Sequence, residues 1–131
     1  KSGYTPDGSG RYWGGMIEDV TIENINATGV EVPSLIFGFE ARNEEGKNIR
    51  KAVKNIKVKL FKAVYCDNEE MLDIPHPIED YLYQYPENNT FGDVDACGIW
   101  VRHVDGLELE QVEIIPRSCN TRDKIRLYDV K

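Results

Sequence analysis

Ile17–Ile25 reads IEDVTIENI, and the chain writes the same template three more times: Val53–Phe61 (VKNIKVKLF), Val104–Val112 (VDGLELEQV) and Arg122–Val130 (RDKIRLYDV). The fourth residue of each segment is its anchor: Val20, Ile56, Leu107 and Ile125. An aliphatic residue follows two places on (Ile22, Val58, Leu109, Leu127), and an apolar residue five places on (Ile25, Phe61, Val112, Val130). Apolar residues two apart point to one face of an extended chain, and the residues between them (Thr21, Lys57, Glu108, Arg126) point to the other. Each unit is therefore a short strand with one buried and one wet face. The apolar residue at plus five breaks the period of two, so the chain must bend just before it. Asn24 and Asp129 suit such a bend, because Asn and Asp tolerate the left-handed conformation; Leu60 and Gln111, at equivalent places, fit that preference poorly. Directly before the anchors, the first three units carry the turn formers Asp19, Asn55 and Gly106.

The units are unevenly spaced. Long, variable returns to equivalent strands suit a solenoid, whose insertions map to loops, and parallel strands need substantial crossovers. A hairpin sheet would place tight Asn-Gly turns between its strands, and the sequence contains no Asn-Gly. The expected fold is all-β: a right-handed parallel β-helix of roughly four rungs, with an antiparallel β-sandwich as the alternative. Residues 1–131 read as one domain, with a loop over 1–15, in which Trp13 can pack over a rung edge, and rungs over 16–131 with an insertion at 67–92. Leu35–Phe39 reads as a strand on another wall of the coil, and 41–51 as a polar return. Residues 78–85 form either two turns of helix or an extended segment. Cys97–Val101 reads as a strand with Ile99 and Val101 inward and Trp100 and Arg102 outward. Neither terminus offers an amphipathic cap helix. The coil is expected to be incomplete, its ends continued by the remainder of a longer β-helix or covered by a partner chain.

Sixteen Lys and Arg against 23 Asp and Glu give a net charge of −7. That balance argues against nucleic acid, which asks for a basic stripe. No apolar run approaches the length of a bilayer span, so no membrane partner is expected. Cys66, Cys97 and Cys119 are odd in number, which excludes a complete disulfide framework. With no CxxC, and only His76 and His103 to join them, they read as small buried hydrophobes rather than a zinc site. Asp93, Asp95 and Glu87 offer oxygen ligands, but without the spacing of a calcium loop. No metal and no cofactor are expected. Asn26-Ala27-Thr28 and Asn88-Asn89-Thr90 are glycosylation sequons, which matter only in a eukaryotic secretory host.

Met16–Thr28 (MIEDVTIENINAT), Tyr85–Gly92 (YPENNTFG), Gly98–Val112 (GIWVRHVDGLELEQV) and Arg122–Val130 resemble, in that order, the C-terminal coils of glycoside hydrolase family 28, the polygalacturonase-like pectin hydrolases. The resemblance covers most of the chain from about residue 16 onward. It implies the right-handed parallel β-helix, a pectic polysaccharide as the parent enzyme's partner, and an extracellular or periplasmic location. Such enzymes cleave galacturonan or rhamnogalacturonan bonds with inversion, using carboxylates held far enough apart to admit a water. The family's usual signatures are Asn-Thr-Asp, an adjacent Asp pair, Gly-His-Gly and Arg-Ile-Lys. Here Asn120-Thr121 is followed by Arg122, there is no Asp-Asp, no glycine flanks either histidine, and Lys124-Ile125-Arg126 runs in reverse. No catalytic residue can be carried over, and the chain by itself is expected to be inactive.

The candidate substrate-binding residues are Arg102, His103, Trp100, Tyr81 and Tyr85. An arginine can clamp a sugar carboxylate through two parallel hydrogen bonds, and aromatic rings offer rigid stacking faces at low entropic cost. The bland readings are that Arg102 pairs with surface acids, His103 bonds a turn carbonyl, and the rings cover rung edges. A non-catalytic β-helical carbohydrate-binding or adhesin-like module is the alternative to a hydrolase fragment.

Overall fold

The computed structural model describes residues 16–38, 40–42, 48–51, 53–66, 74, 94–117 and 122–131. The expected loop over 1–15 with Trp13, nearly all of the 67–92 insertion (His76 and the 78–85 segment included) and Cys119 lie outside them. Among the described residues there are seven strands and no helix: β1 Ile17–Val30, β2 Ser34–Phe37, β3 Glu40–Arg42, β4 Asn48–Lys51, β5 Val53–Tyr65, β6 Ala96–Pro116 and β7 Asp123–Val130. The main sheet is parallel throughout and curls into a half-barrel around an apolar interior; its central path runs β1-β5-β6-β2, with β7 also paired to β6.

Three of the four repeats stack as expected. Val20 lies beside Ile56 and Ile56 beside Leu107; Ile25, Phe61 and Val112 form another column. The fourth repeat does not join them. Ile125 lies beside Ile99, Leu127 beside Val101 and Val130 beside Val104. The reason is that β6 carries the template twice. Ile99, Val101 and Val104 have the same zero, plus-two, plus-five spacing as Leu107, Leu109 and Val112. Spacing alone does not say which of two consecutive walls a repeat belongs to. β2 pairs with the same first half of β6, Ile36 beside Val101, so the strand around Leu35 does lie on a wall distinct from that of β1 and β5.

The bends fall where the period breaks. Asn24, Leu60, Gln111 and Asp129 have φ of 61°, 51°, 52° and 52°, and Asp19, Asn55 and Gly106 form a second left-handed column at 58°, 52° and 81°. That column is tied by a hydrogen bond from Asn55 Nδ2 to Asp19 Oδ1 at 3.0 Å. Leu60 and Gln111 thus adopt the conformation their side chains disfavour, at a cost of about 1 kcal/mol each. The segment between Phe37 and β5 is not a plain polar return. β3 and β4 form an antiparallel hairpin there; its residues are mostly polar and carry no apolar period that would mark strands.

The interior holds Ile56, Val58, Phe61, Ala63, Cys97, Val101 and Val104, among others, as one buried cluster. Burial follows position in the stack. Phe61 and Val101 are buried, while their column neighbours Ile25 and Leu127 in β1 and β7 are 38% and 48% exposed, because a central strand has a layer on both sides. Cys97 is buried as expected, whereas Cys66 is exposed at the end of β5. The Tyr65 hydroxyl donates to Gly98 O at 3.0 Å and lies 3.3 Å from Ser34 Oγ, joining β5, β6 and β2. At Gly98 a Cβ would come within 2.5 Å of the Ile114 side chain and 2.6 Å of the Lys124 carbonyl, so only glycine fits.

Outer-facing positions also stack. Lys54, Lys57, Lys59 and Lys62 of β5 lie beside Asp105, Glu108, Glu110 and Glu113 of β6, and Glu18 and Glu23 of β1 lie beside Lys54 and Lys59. Ion pairs join Lys57 to Glu108 at 2.9 Å, Lys59 to Glu23 at 3.8 Å and Lys62 to Glu113 at 3.9 Å. Opposite charges directly across a sheet stabilise it and like charges oppose it, so a basic layer between two acidic ones favours this strand order.

Two measurements test this account. In urea titrations Val58→Ala should cost about 2–3 kcal/mol through lost burial and a cavity. Leu60→Gly should instead stabilise the chain by about 0.5–1 kcal/mol, because glycine holds a positive φ without strain. The second concerns alkaline pH. The hydrogen bond to Glu108 raises the Lys57 pKa above its ordinary 10.5, and burial raises that of Tyr65 above 10.0. Their contribution is complete below about pH 10 and is lost as pH rises through the folded values. The melting temperature should fall steeply above pH 10, and Tyr65→Phe should flatten that fall while lowering stability at pH 7.

Candidate functional site

Strand alternation sends Ile99 and Val101 into the half-barrel and Trp100 to its outer side. Trp100 is nevertheless fully buried, at 0% exposure. It belongs to a second, smaller core on the outer face of β2, β6 and β7, formed by Phe37, Val94, Ala96 and Trp100 with Leu35, Ile74 and Tyr128 packed against it. Phe37 stacks on the indole at 5.8 Å and 14°, and Tyr128 tilts against it at 5.8 Å and 49°. The Arg102 guanidinium lies over both rings, 4.9 Å from Trp100 and 5.2 Å from Tyr128.

Asp95 is the polar hub of this cluster. It accepts hydrogen bonds from Trp100 Nε1 at 3.0 Å, from Arg126 Nε at 3.2 Å and from the Tyr128 hydroxyl. Arg126 also pairs with Asp123 at 2.9 Å. Burial alone would raise the Asp95 pKa, but the three donors and the Arg126 charge outweigh it and hold the carboxyl below its ordinary 3.8. Burial and the Asp95 carboxylate push the Tyr128 phenol upward. At the next bend His103, itself at φ 55°, places Nδ1 2.7 Å from Asp129 Oδ2, with Phe37 edge-on at 6.2 Å.

The structure brings together three of the five candidate residues. Trp100, Arg102 and His103 share one wall, but Trp100 presents no open ring face, Arg102 is stacked on two aromatics, and His103 is 18% exposed beside Asp129. Tyr81 and Tyr85 lie outside the described residues. The partners that sequence reasoning missed are Phe37, Arg126 and Tyr128. Arg126 and Tyr128 share a face by alternation along β7, which the misplaced fourth repeat concealed. Asp95, considered for calcium, is instead engaged by Trp100, Arg126 and Tyr128; Asp93 and Glu87 lie outside the described residues. Among the described residues no three His, Cys, Asp or Glu side chains gather as a metal site. As it stands the cluster clamps β7 and the segment at Asp95 onto β6.

An open groove lies elsewhere, on the outside of the bend at Asn24, Leu60 and Gln111, with a volume of about 400 Å³. Asn26, Lys62 and Glu113, with Ile25 and Phe61, also line it. Comparison of the chain with protein-family models, with curated proteins and with solved structures gives no match.

Asp95→Asn should lower stability at pH 7 by about 1–2 kcal/mol, since it removes the charge that three donors address. The Asp95 carboxylate contributes above its unfolded value of 3.8 and loses that contribution as pH falls through the lower folded value. Urea titrations at pH 7 and below pH 3 should therefore show the variant and the parent converging in acid.

Proposed function

We propose that the chain is a stretch of right-handed parallel β-helix, the C-terminal portion of a polygalacturonase-like glycoside hydrolase acting on pectic polysaccharide, and that it contributes scaffold rather than chemistry. The observation that carries the reading is the stack of β1, β5 and β6, parallel and in register from Ile17 to Ala27 against β5, with bends at the same columns in each layer. Three of the four phrases that resemble the hydrolase family fall on strands of this sheet, MIEDVTIENINAT on β1, GIWVRHVDGLELEQV on β6 and RDKIRLYDV on β7, and YPENNTFG lies outside the described residues. The scaffold role is supported by two things. The sequence lacks an adjacent Asp pair, and the carboxylates of Glu23, Asp95, Glu108, Glu113 and Asp129 are taken up by partners within the sheet. An extracellular or periplasmic site of action belongs to the same proposal.

The groove beside Leu60 favours a second reading, a non-catalytic β-helical module that binds carbohydrate. A reducing-sugar assay on polygalacturonate and on rhamnogalacturonan separates the two. The chain alone should release nothing, and the same chain joined to the coding sequence upstream of it should be active, with an adjacent Asp pair in the added coils. Activity of the chain alone, or an upstream sequence without such a pair, overturns the hydrolase reading.

A further inference from the structure

Two properties of the bend at Asn24, Leu60 and Gln111 exceed what a corner requires. Leu60 and Gln111 hold left-handed φ values at positions where Asn, Asp or Gly sits with less strain, and the chain does use Asn24 in the same column. Leu60 is also 45% exposed, so its strain is not repaid by full burial. Strain retained at a solvent-facing position points toward a functional constraint. The groove of about 400 Å³ opens at this position.

We propose that the groove binds a linear, neutral glycan laid across the strands, along the direction in which the layers stack. The groove is lined by two columns over three strands, Asn24, Leu60 and Gln111 in one and Asn26, Lys62 and Glu113 in the other. The three amides offer both donors and acceptors, the pairing that sugar hydroxyls need. Leu60 lies between Asn24 and Gln111 and gives an aliphatic surface for the C–H face of a pyranose ring. Outer side chains in a column repeat every ~4.8 Å, close to the length of one pyranose unit. An extended peptide, advancing ~3.3 Å per residue, falls out of step with that spacing. Charge selects against a polyanion. Among the described residues that line the groove the one cation is Lys62, 3.9 Å from Glu113, and the chain carries −7 overall. The inference rests on the carbohydrate-binding reading of the coil and not on kinship with the hydrolases.

The test is a backbone amide NMR titration of the full chain with cellotetraose and with β-1,4-galactotetraose, and with tetragalacturonate as the charged comparison. A neutral oligosaccharide should shift resonances confined to residues 24–26, 60–62 and 111–113, and tetragalacturonate should bind more weakly. Leu60→Gly should raise the melting temperature and weaken binding by about tenfold or more, a split that mere structural damage does not produce. The proposal is overturned if neither neutral oligosaccharide shifts the groove, if the shifts lie elsewhere, if tetragalacturonate binds as well, or if Leu60→Gly binds like the parent chain. None of these results bears on the reducing-sugar assay, so the two readings fail separately.

Discussion

Parallel stacking in register puts every side chain directly above its counterpart in the next layer, ~4.8 Å away, and the rest of the structure follows from that constraint. Each position becomes a column that must tolerate its own repetition. Inward columns are aliphatic, as in Val20, Ile56 and Leu107. Bend columns share one backbone conformation whatever the residue, which is why Leu60 is carried into the left-handed region with Asn24. Outward columns cannot repeat a charge cheaply, and the lysines of β5 between the acids of β1 and β6 meet that requirement.

β6 is the strand on which the two walls meet. Its first half is flanked by β2 and β7, and its second half pairs with β5. The inner core runs through both halves, but the outer core belongs to the first alone. There Trp100 gives the tilt of three aromatic rings a common centre, and Asp95 supplies a carboxylate that receives the indole, a phenol and a guanidinium together. Aromatic and charged side chains so arranged fix the outer strand against the sheet more specifically than aliphatic burial does.

Much of the sheet was legible from period alone. Alternation within each repeat placed Val58 and Leu109 inward and Lys57 and Glu108 outward, and the break of period located the bends, including the two at residues with no taste for them. What period could not decide was identity between walls: Ile125 matched Leu107 and Ile99 equally well, and only hydrogen-bond register chose Ile99. The same ambiguity hid the outer cluster, because Arg126 and Tyr128 became neighbours of Trp100 and Arg102 only once β7 was set on the first half of β6. The burial of Trp100 was not legible either. An outward tryptophan on a half-wet strand gives no sign that Phe37 and Tyr128 will close over it.

Gly38 donates its amide to Arg102 O, and a Cβ built on it would lie 3.1 Å from the Val53 side chain. The chain therefore leaves the layer at Gly38 and rejoins it at Val53 almost where it left, with the hairpin of β3 and β4 in the interval. The layer above crosses the same corner without any detour, through His103. Because the entropy of closing such an excursion grows only slowly with its length, this corner works as a socket. Segments of very different size can be plugged into it while the surrounding sheet keeps its shape, and decoration at that point can diversify independently of the scaffold that presents it.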